Sequence, residues 1–323
     1  SFQTSTLTAI VLFIFVARYL SKTRETPITF KSSLWELWTP VFITLMFILP
    51  ANFSTTALIF AMVIMLVFIG RYPLKYIFFI IGSGFLILVM FFLMSKTFPD
   101  SKFFSRVATW ESRIENFTTD KADEDDYQIE KAKIAIASGQ IYGLGPGKSV
   151  QKNFLPQSSS DFIYAIIVEE YGLVGGLGVL LLYLLLLFRF VVASHKANTL
   201  FGKLVVIGLG FPMIFQAMIN MAVAVELLPV TGQTLPLISS GGSSIWMTCF
   251  GLGIILSVTK KEEEIAKEKL DKEKREEILQ KLIDREMEAD LEEADFKNVN
   301  NNFDTGDDSI TDNSKNPMNA VLK

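Results

Sequence analysis

Cysteine and histidine are almost missing from this chain, with one of each in 323 residues. Cys249 lies in an apolar run and His195 in a short basic connector. No intrachain disulfide, no Cys–His nucleophile and no His-rich metal site can therefore be assembled, and any chemistry must come from carboxylates, lysine, arginine and backbone. The opening methionine is missing too: the chain starts at Ser1 and is apolar from about Leu7. That is not the pattern of a cleaved leader, and it leads us to expect an N-terminally truncated fragment. Nor is there a basic excess, since 30 Lys and Arg face 34 Asp and Glu, so no nucleic acid is expected among the partners.

What is abundant is apolar: half the residues are hydrophobic and 28 are Phe, with the charged residues gathered outside the apolar runs. This composition describes a polytopic membrane protein with a soluble tail. Hydropathy predicts spans near 6–20, 36–50, 53–70, 76–95, 162–188, 204–225 and 244–259, some shorter than the roughly 20 residues of a perpendicular crossing. Seven crossings put the two ends on opposite sides. Arg18, Lys22, Arg24 and Lys31, then Arg71 and Lys75, then Arg189, Lys196 and Lys203 all fall on one side with the charged tail. The opposing connectors, 50–53 and 226–244, carry no Lys or Arg. The basic side is expected to be cytoplasmic, which leaves the N-terminus of this chain outside and the C-terminus in the cytoplasm.

Within that frame, residues 143–161, GLGPGKSVQKNFLPQSSSD, end a long polar segment on an aspartate at the mouth of a span. An ionisable group at such a mouth, with Glu169 and Glu170 inside the span, is a functional candidate. The plainer alternative is that Asp161 only caps the helix that follows. Neighbouring helical residues point about 100° apart, so only one of the two glutamates can comfortably share the cavity face of Asp161, and Glu169 is nearer in angle. Pro229, Gly232, Pro236, Gly241 and Gly242 break the stretch 229–244 too often for a helix. It is expected to fold back as a re-entrant segment lining a polar pocket, with a short ordered turn as the alternative. Gln216 and Asn220, one turn apart, are expected to hydrogen-bond across the bundle. GLGPGKS imitates a phosphate-binding loop but has Tyr142 where that pattern needs glycine. The acidic run from Asp120 to Asp126 lacks calcium-loop spacing and reads as a solvated loop tip. The tail from Lys260 to Phe296 suits a solvated or loosely partner-binding helix, followed by a disordered stretch, NVNNNFDTGDDSITDNSKNP, from Asn298.

Three stretches together carry a family resemblance: FQTSTLTAIVLFIFVARYL at 2–20, GQIYGLGPGKSVQKNFLPQSSSDFIYAIIVEEYGLVGG at 139–176, and QAMINMAVAVELLPVTGQTLPLISSGGSS at 216–244. The chain resembles the SEDS family of bacterial cell-wall polymerases, whose members serve elongation, division and sporulation. Those proteins have about ten spans, of which this chain resembles the fourth to the tenth, and the SVQK form of the loop is more like the division paralogue. The resemblance implies an all-α transmembrane bundle over 1–259, with a large extracytoplasmic loop at 97–161 and a re-entrant segment at 226–244. A charged, partly disordered cytoplasmic tail at 260–323 follows. It implies a peptidoglycan glycosyltransferase in the bacterial cytoplasmic membrane that polymerises lipid II for cell-wall biogenesis during cell division. Its partners would be a class B penicillin-binding protein transpeptidase and other division proteins. Asp161 falls on the catalytic acidic position and would be the general base, with undecaprenyl pyrophosphate as leaving group. Lys152, Arg106 and Arg113 are candidates to hold the pyrophosphate, or are simple loop cations, and Glu169 is a further substrate-binding candidate. A divalent cation is left open, with no dedicated metal site evident. Thr6, Ala9, Asn52, Gln157 and Ser159 depart from the charged residues usual at those family positions. The alternatives are a lipid II flippase, which would need Glu169 near the midplane, and a non-enzymatic division scaffold.

Overall fold

The structure is a computed structural model that describes residues 4–24, 28–97 and 124–307. Arg106 and Arg113 lie outside the described residues, as do Asp120 and Asp123. The described residues fold into helices and turns, with no strand among them. In chain order the helices are α1 (Thr4–Lys22), α2 (Phe30–Ser33), α3 (Thr39–Ile48), α4 (Phe53–Ile69), α5 (Leu74–Thr97), α6 (Glu124–Gly139), α7 (Ile163–Lys196), α8 (Leu200–Ala224) and α9 (Gly242–Asp307). A π-helical turn, Leu34–Trp38, joins α2 to α3 without a break.

Five helical segments are long and apolar enough to cross a membrane: Thr4–Lys22, Leu74–Ser95, Ile163–Lys196, Leu200–Ala224 and Gly242–Lys260. Phe53–Ile69 is apolar but shorter. Each predicted span has a helix over it. The protein is a multi-pass membrane protein, and its helices are held chiefly by α1, α4, α7 and α8. Their shared core includes Val16, Leu66, Val63 and Leu204, all fully buried. With lipid as solvent, close packing rather than water exclusion drives this association, and small residues promote it. Gly208 lies against Leu66 and Phe13, and Gly210 against the ring of Phe190.

A polar knot closes the end of the bundle at the α4–α5 connector. Tyr72 hydroxyl shares a hydrogen bond with the buried Ser33 hydroxyl and accepts one from Trp38 Nε1 at 3.3 Å. Burial pushes the Tyr72 phenol above its ordinary range, so it stays a neutral donor and acceptor there. The π-turn carries Trp38 to this contact, an irregularity that the run of apolar residues did not announce.

A second, smaller core lies at the opposite end, beside Asp161. It joins Ala132 and Ala135 of α6, Leu155, Phe162 and Ile166, Val223 at the end of α8, and Val230. Two expectations change here. The segment 97–161 is not all loop, because Glu124, Asp125 and Asp126, expected at a solvated tip, open α6. That helix packs along α7 with its small alanine face, and Lys133 pairs with Glu226 beyond α8. The stretch from Asn298, expected to be disordered, is helical as far as Asp307; a helix already nucleated gains one hydrogen bond for each residue added, which can carry a polar stretch. By compactness the chain divides at Glu263, and the tail from Glu264 is a unit of its own.

Candidate active site

Asp161 does not cap α7. The helix starts at Ile163 behind Phe162, with no side-chain cap, and Asp161 belongs to the turn before it, where its amide bonds the Gln157 carbonyl at 3.1 Å. The turn is held by its carbonyls. Ser159 O accepts from the Ser240 amide at 2.8 Å, Ser160 O from the Ser239 hydroxyl at 2.6 Å, and Asp161 O from Asn220 Nδ2 at 2.6 Å. Two of those donors belong to the segment expected to be re-entrant and one to α8. The carboxylate itself is half-buried and accepts from the Ser160 hydroxyl at 2.7 Å. Gly232, whose φ of +64° favours glycine, lies beside the other carboxylate oxygen: a β-carbon there would make an ordinary contact with Oδ2 at 3.7 Å.

The segment 226–241 is non-helical throughout, and three of its carbonyls are taken by side chains from the bundle. Gln216 Nε2 donates to Thr234 O at 2.9 Å, Asn220 Nδ2 to Gln233 O at 2.7 Å, and the Tyr183 hydroxyl to Pro236 O. Gln233 in turn donates to the Thr55 hydroxyl of α4 at 2.8 Å. Gln216 and Asn220, expected to bridge two helices, instead hold this segment and the Asp161 turn.

A polar cavity of about 750 Å³ opens beside the turn, lined by Ser160, Thr234, Ser243, Asn52, Thr44, Thr8, Ser5 and Thr4 with apolar residues of α3. Asn52 is the N-cap of α4, accepting from the Thr55 amide at 3.0 Å. On the other face of α3, Phe42, Leu45, Phe53, Phe60, Ile81, Phe85 and Leu88 line an apolar recess of about 280 Å³. A third cavity, of about 90 Å³, lies between α1, α4, α8 and α9; Thr6, Ala9, Thr55, Gln216 and Gln233 are among its lining, and no charged side chain is. Among the described residues, no three His, Cys, Asp or Glu side chains come together as a metal cluster.

Glu169 stands apart from the Asp161 carboxylate in its contacts. It is 1% exposed, and it accepts from the Ser149 hydroxyl, from the Val150 amide at 3.1 Å and from the Gln151 amide at 3.3 Å. It anchors the loop that ends in Lys152. That lysine is exposed, and its backbone is fixed on both sides, its amide on the Ser149 hydroxyl and its carbonyl on the Ser158 hydroxyl, each at 3.1 Å.

The same loop repairs a break in α7. Gly172 has φ 70° and ψ −170°, a conformation essentially reserved for glycine, and it interrupts the helical ladder. The Leu173 and Val174 amides turn instead to Gln140 O (2.8 Å) and Ile141 O (3.3 Å). Glu169 O and Glu170 O receive the Leu144 and Gly145 amides, each at 2.9 Å. Chain and helix thus exchange partners, and the Glu169 and Glu170 carbonyls, whose helical donors would be the Leu173 and Val174 amides, gain loop amides instead. A β-carbon on Gly172 would collide with the Ile141 carbonyl, and one on Gly143 with that of Glu170. Gly172→Ala is expected to undock the loop, since the backbone conformation alone costs about 1–3 kcal/mol in a residue with a side chain. Faster amide exchange at Leu144 and Gly145 and a lower melting temperature in detergent are the measurements that check it.

The fold and site define a helical membrane protein in which the Asp161 turn, at the start of a broken helix, is held by a non-helical segment and by α8 beside a polar cavity. The family model for FtsW, RodA and SpoVE, described as cell cycle proteins, matches residues 1–264, and the chain belongs to that family. It is 31% identical over 265 residues to stage V sporulation protein E of Bacillus subtilis, covering 80% of this chain and 69% of that one. It is 30% identical over 262 residues to the probable peptidoglycan glycosyltransferase FtsW of Nitrosococcus halophilus, covering 79% and 65%. The chain thus spans about two thirds of the length of these relatives. Among solved structures, a chain of a peptidoglycan synthase complex that coordinates polymerization and crosslinking aligns with a TM-score of 0.58 at 23% identity, covering 81% of this chain and 70% of that one. The rod shape determining protein RodA of Thermus thermophilus aligns with a TM-score of 0.52 at 24% identity, covering 81% and 66%. At these identities the likeness is one of fold.

Proposed function

We propose that this protein is a peptidoglycan glycosyltransferase that polymerises lipid II at the outer face of the bacterial cytoplasmic membrane, with Asp161 as general base. The observation that carries the reading is the held turn: Asp161 caps no helix, yet three successive carbonyls fix its backbone, next to Ser160, which lines the polar cavity. A carboxylate kept in place in this way, and half-open, suits proton transfer in a defined geometry. In the reaction the 4-hydroxyl oxygen of the acceptor sugar attacks the anomeric carbon of the donor with inversion. Its proton passes to the Asp161 carboxylate as the carbon–oxygen bond to undecaprenyl pyrophosphate breaks and that group leaves with the electron pair. The leaving group needs charge neutralisation more than a proton, and exposed Lys152 on its anchored loop is the residue proposed to supply it. Arg106 and Arg113 are proposed for the same task. The polar cavity suits the sugar–pyrophosphate headgroup, and the apolar recess behind α3 suits a prenyl chain.

On this reading the Asp161 end of the bundle faces outward and the basic connectors face the cytoplasm, with the C-terminal tail. The partner is a class B penicillin-binding protein transpeptidase, in the setting of cell division; relatives carrying the FtsW name, and the complex among the structural neighbours, favour that assignment. Burial of Glu169 under the 149–151 loop weighs against a transport path that uses its charge. The test is conversion of purified lipid II by the full-length protein with its transpeptidase partner. Glycan strands are the expected product; translocation of lipid II across vesicles with no strand formed would replace this reading by a flippase, and neither activity would favour a scaffold.

A further inference from the structure

We propose that Asn220 is a positioning residue for Asp161, coupling the aspartate to the inward-folded segment; the proposal rests on the reading of Asp161 as base. Asn220 is 1% exposed, and its two amide hydrogens go to two different parts of the chain: Asp161 O at 2.6 Å and Gln233 O at 2.7 Å. With both hydrogens committed, the side chain has one orientation. A turn of the amide would set its oxygen against two carbonyls. The bond to Gln233 continues to Thr55 on α4. One amide therefore ties α8, the inward-folded segment and, through Gln233, α4 to the backbone of the proposed base.

Two further observations separate this role from ordinary helix packing. Asn220 Oδ1 is buried with no hydrogen-bond partner. An unsatisfied buried acceptor is costly and calls for an explanation, and the two donors on the same amide provide one. Gln216, one turn earlier on α8, makes the same kind of bond to the next carbonyl of the segment, Thr234 O, but gives none to Asp161. It is the internal control. If α8 merely glued the segment in place, Gln216 and Asn220 would be equivalent; only Asn220 reaches the carbonyl of the base.

The carboxylate is reached through the backbone. Asp161 Oδ1 takes the hydroxyl of Ser160, whose own carbonyl is held by Ser239. Releasing Asp161 O frees one end of this frame and lets the carboxylate drift from both its Ser160 donor and the acceptor hydroxyl. A displacement of about 1 Å at a reacting group costs roughly a hundredfold in rate.

The experiment measures kcat and KM for lipid II polymerisation by the full-length protein with its partner. Wild type, Asn220→Ala, Gln216→Ala and Asp161→Asn are compared, each first shown to be folded by co-purification of the partner. Asn220→Ala is expected to lower kcat per partner-bound enzyme by about a hundredfold with KM little changed. Gln216→Ala, which leaves the bond to Asp161 O in place, is expected to lose far less kcat. Equal losses of kcat in the two variants, or wild-type kcat in Asn220→Ala, would overturn the proposal. Wild-type activity in Asp161→Asn would remove the base reading itself, and any defect of Asn220→Ala would then be structural.

Discussion

Replacement of Asp161 by Asn is expected to stop glycan-strand formation while leaving the protein folded and bound to its partner. Asn has the shape of Asp and keeps an oxygen to accept the Ser160 hydroxyl, and the three bonds to the 159–161 carbonyls involve backbone acceptors that the change does not touch. Only the capacity to take a proton is lost. Removal of a positioned general base costs about 10²–10⁴-fold in rate, so strands visible from wild type on a gel should vanish from the variant. The effect belongs in kcat, because the cavity wall and its polar lining are unchanged. Strands in wild-type amount from a folded Asp161→Asn would remove Asp161 from the chemistry.

The sequence made legible what depends on local pattern. Apolar runs located the helix starts to within a few residues, though the helices begun at Ile163 and Gly242 run on past their apolar stretches to Lys196 and Asp307, and the breakers Pro229, Gly232 and Pro236 correctly marked a non-helical stretch. Hydropathy gave no warning of the π-turn at Leu34–Trp38 or of α6, whose small-residue face is apolar only in part. The site was half visible. Asp161 stood out because a charge at the mouth of a span is costly, but its nearness to a helix start suggested a cap, and the turn from Gln157 to Phe162 moved it clear of that role. Partners remote in sequence were out of reach. Nothing local tells that Asn220 meets Asp161, or that Gln140 and Ile141 stand in for the missing helical acceptors of Leu173 and Val174. Gly172 was a signal in principle, since an interior glycine that needs positive φ marks a break, but with several other glycines nearby the sequence did not single it out.

Glu169 separates the polymerase from the transporter most sharply, because the two readings expect different things of the same carboxylate. As an anchor it acts through accepted hydrogen bonds. Glu169→Ala leaves the Ser149 hydroxyl and the Val150 and Gln151 amides without their acceptor. Hydrogen bonds to a charged group contribute about 1.5–3 kcal/mol each; with solvent taking over some of the donors, a net local loss of about 3 kcal/mol is expected, or roughly a hundredfold faster amide exchange at Val150 and Gln151. Lys152 then loses its fixed place, and polymerisation falls with the loop. Glu169→Gln keeps one acceptor oxygen but turns an NH₂ group toward the same donors, so it should fall between wild type and Ala in both exchange and rate. A carboxylate that carried charge along a transport path would behave otherwise: Gln would be as damaging as Ala, with exchange at 150–151 unchanged. A graded loss that follows loop protection supports the anchor, and an all-or-none loss that ignores it would return Glu169 to the path of a transported ion or lipid.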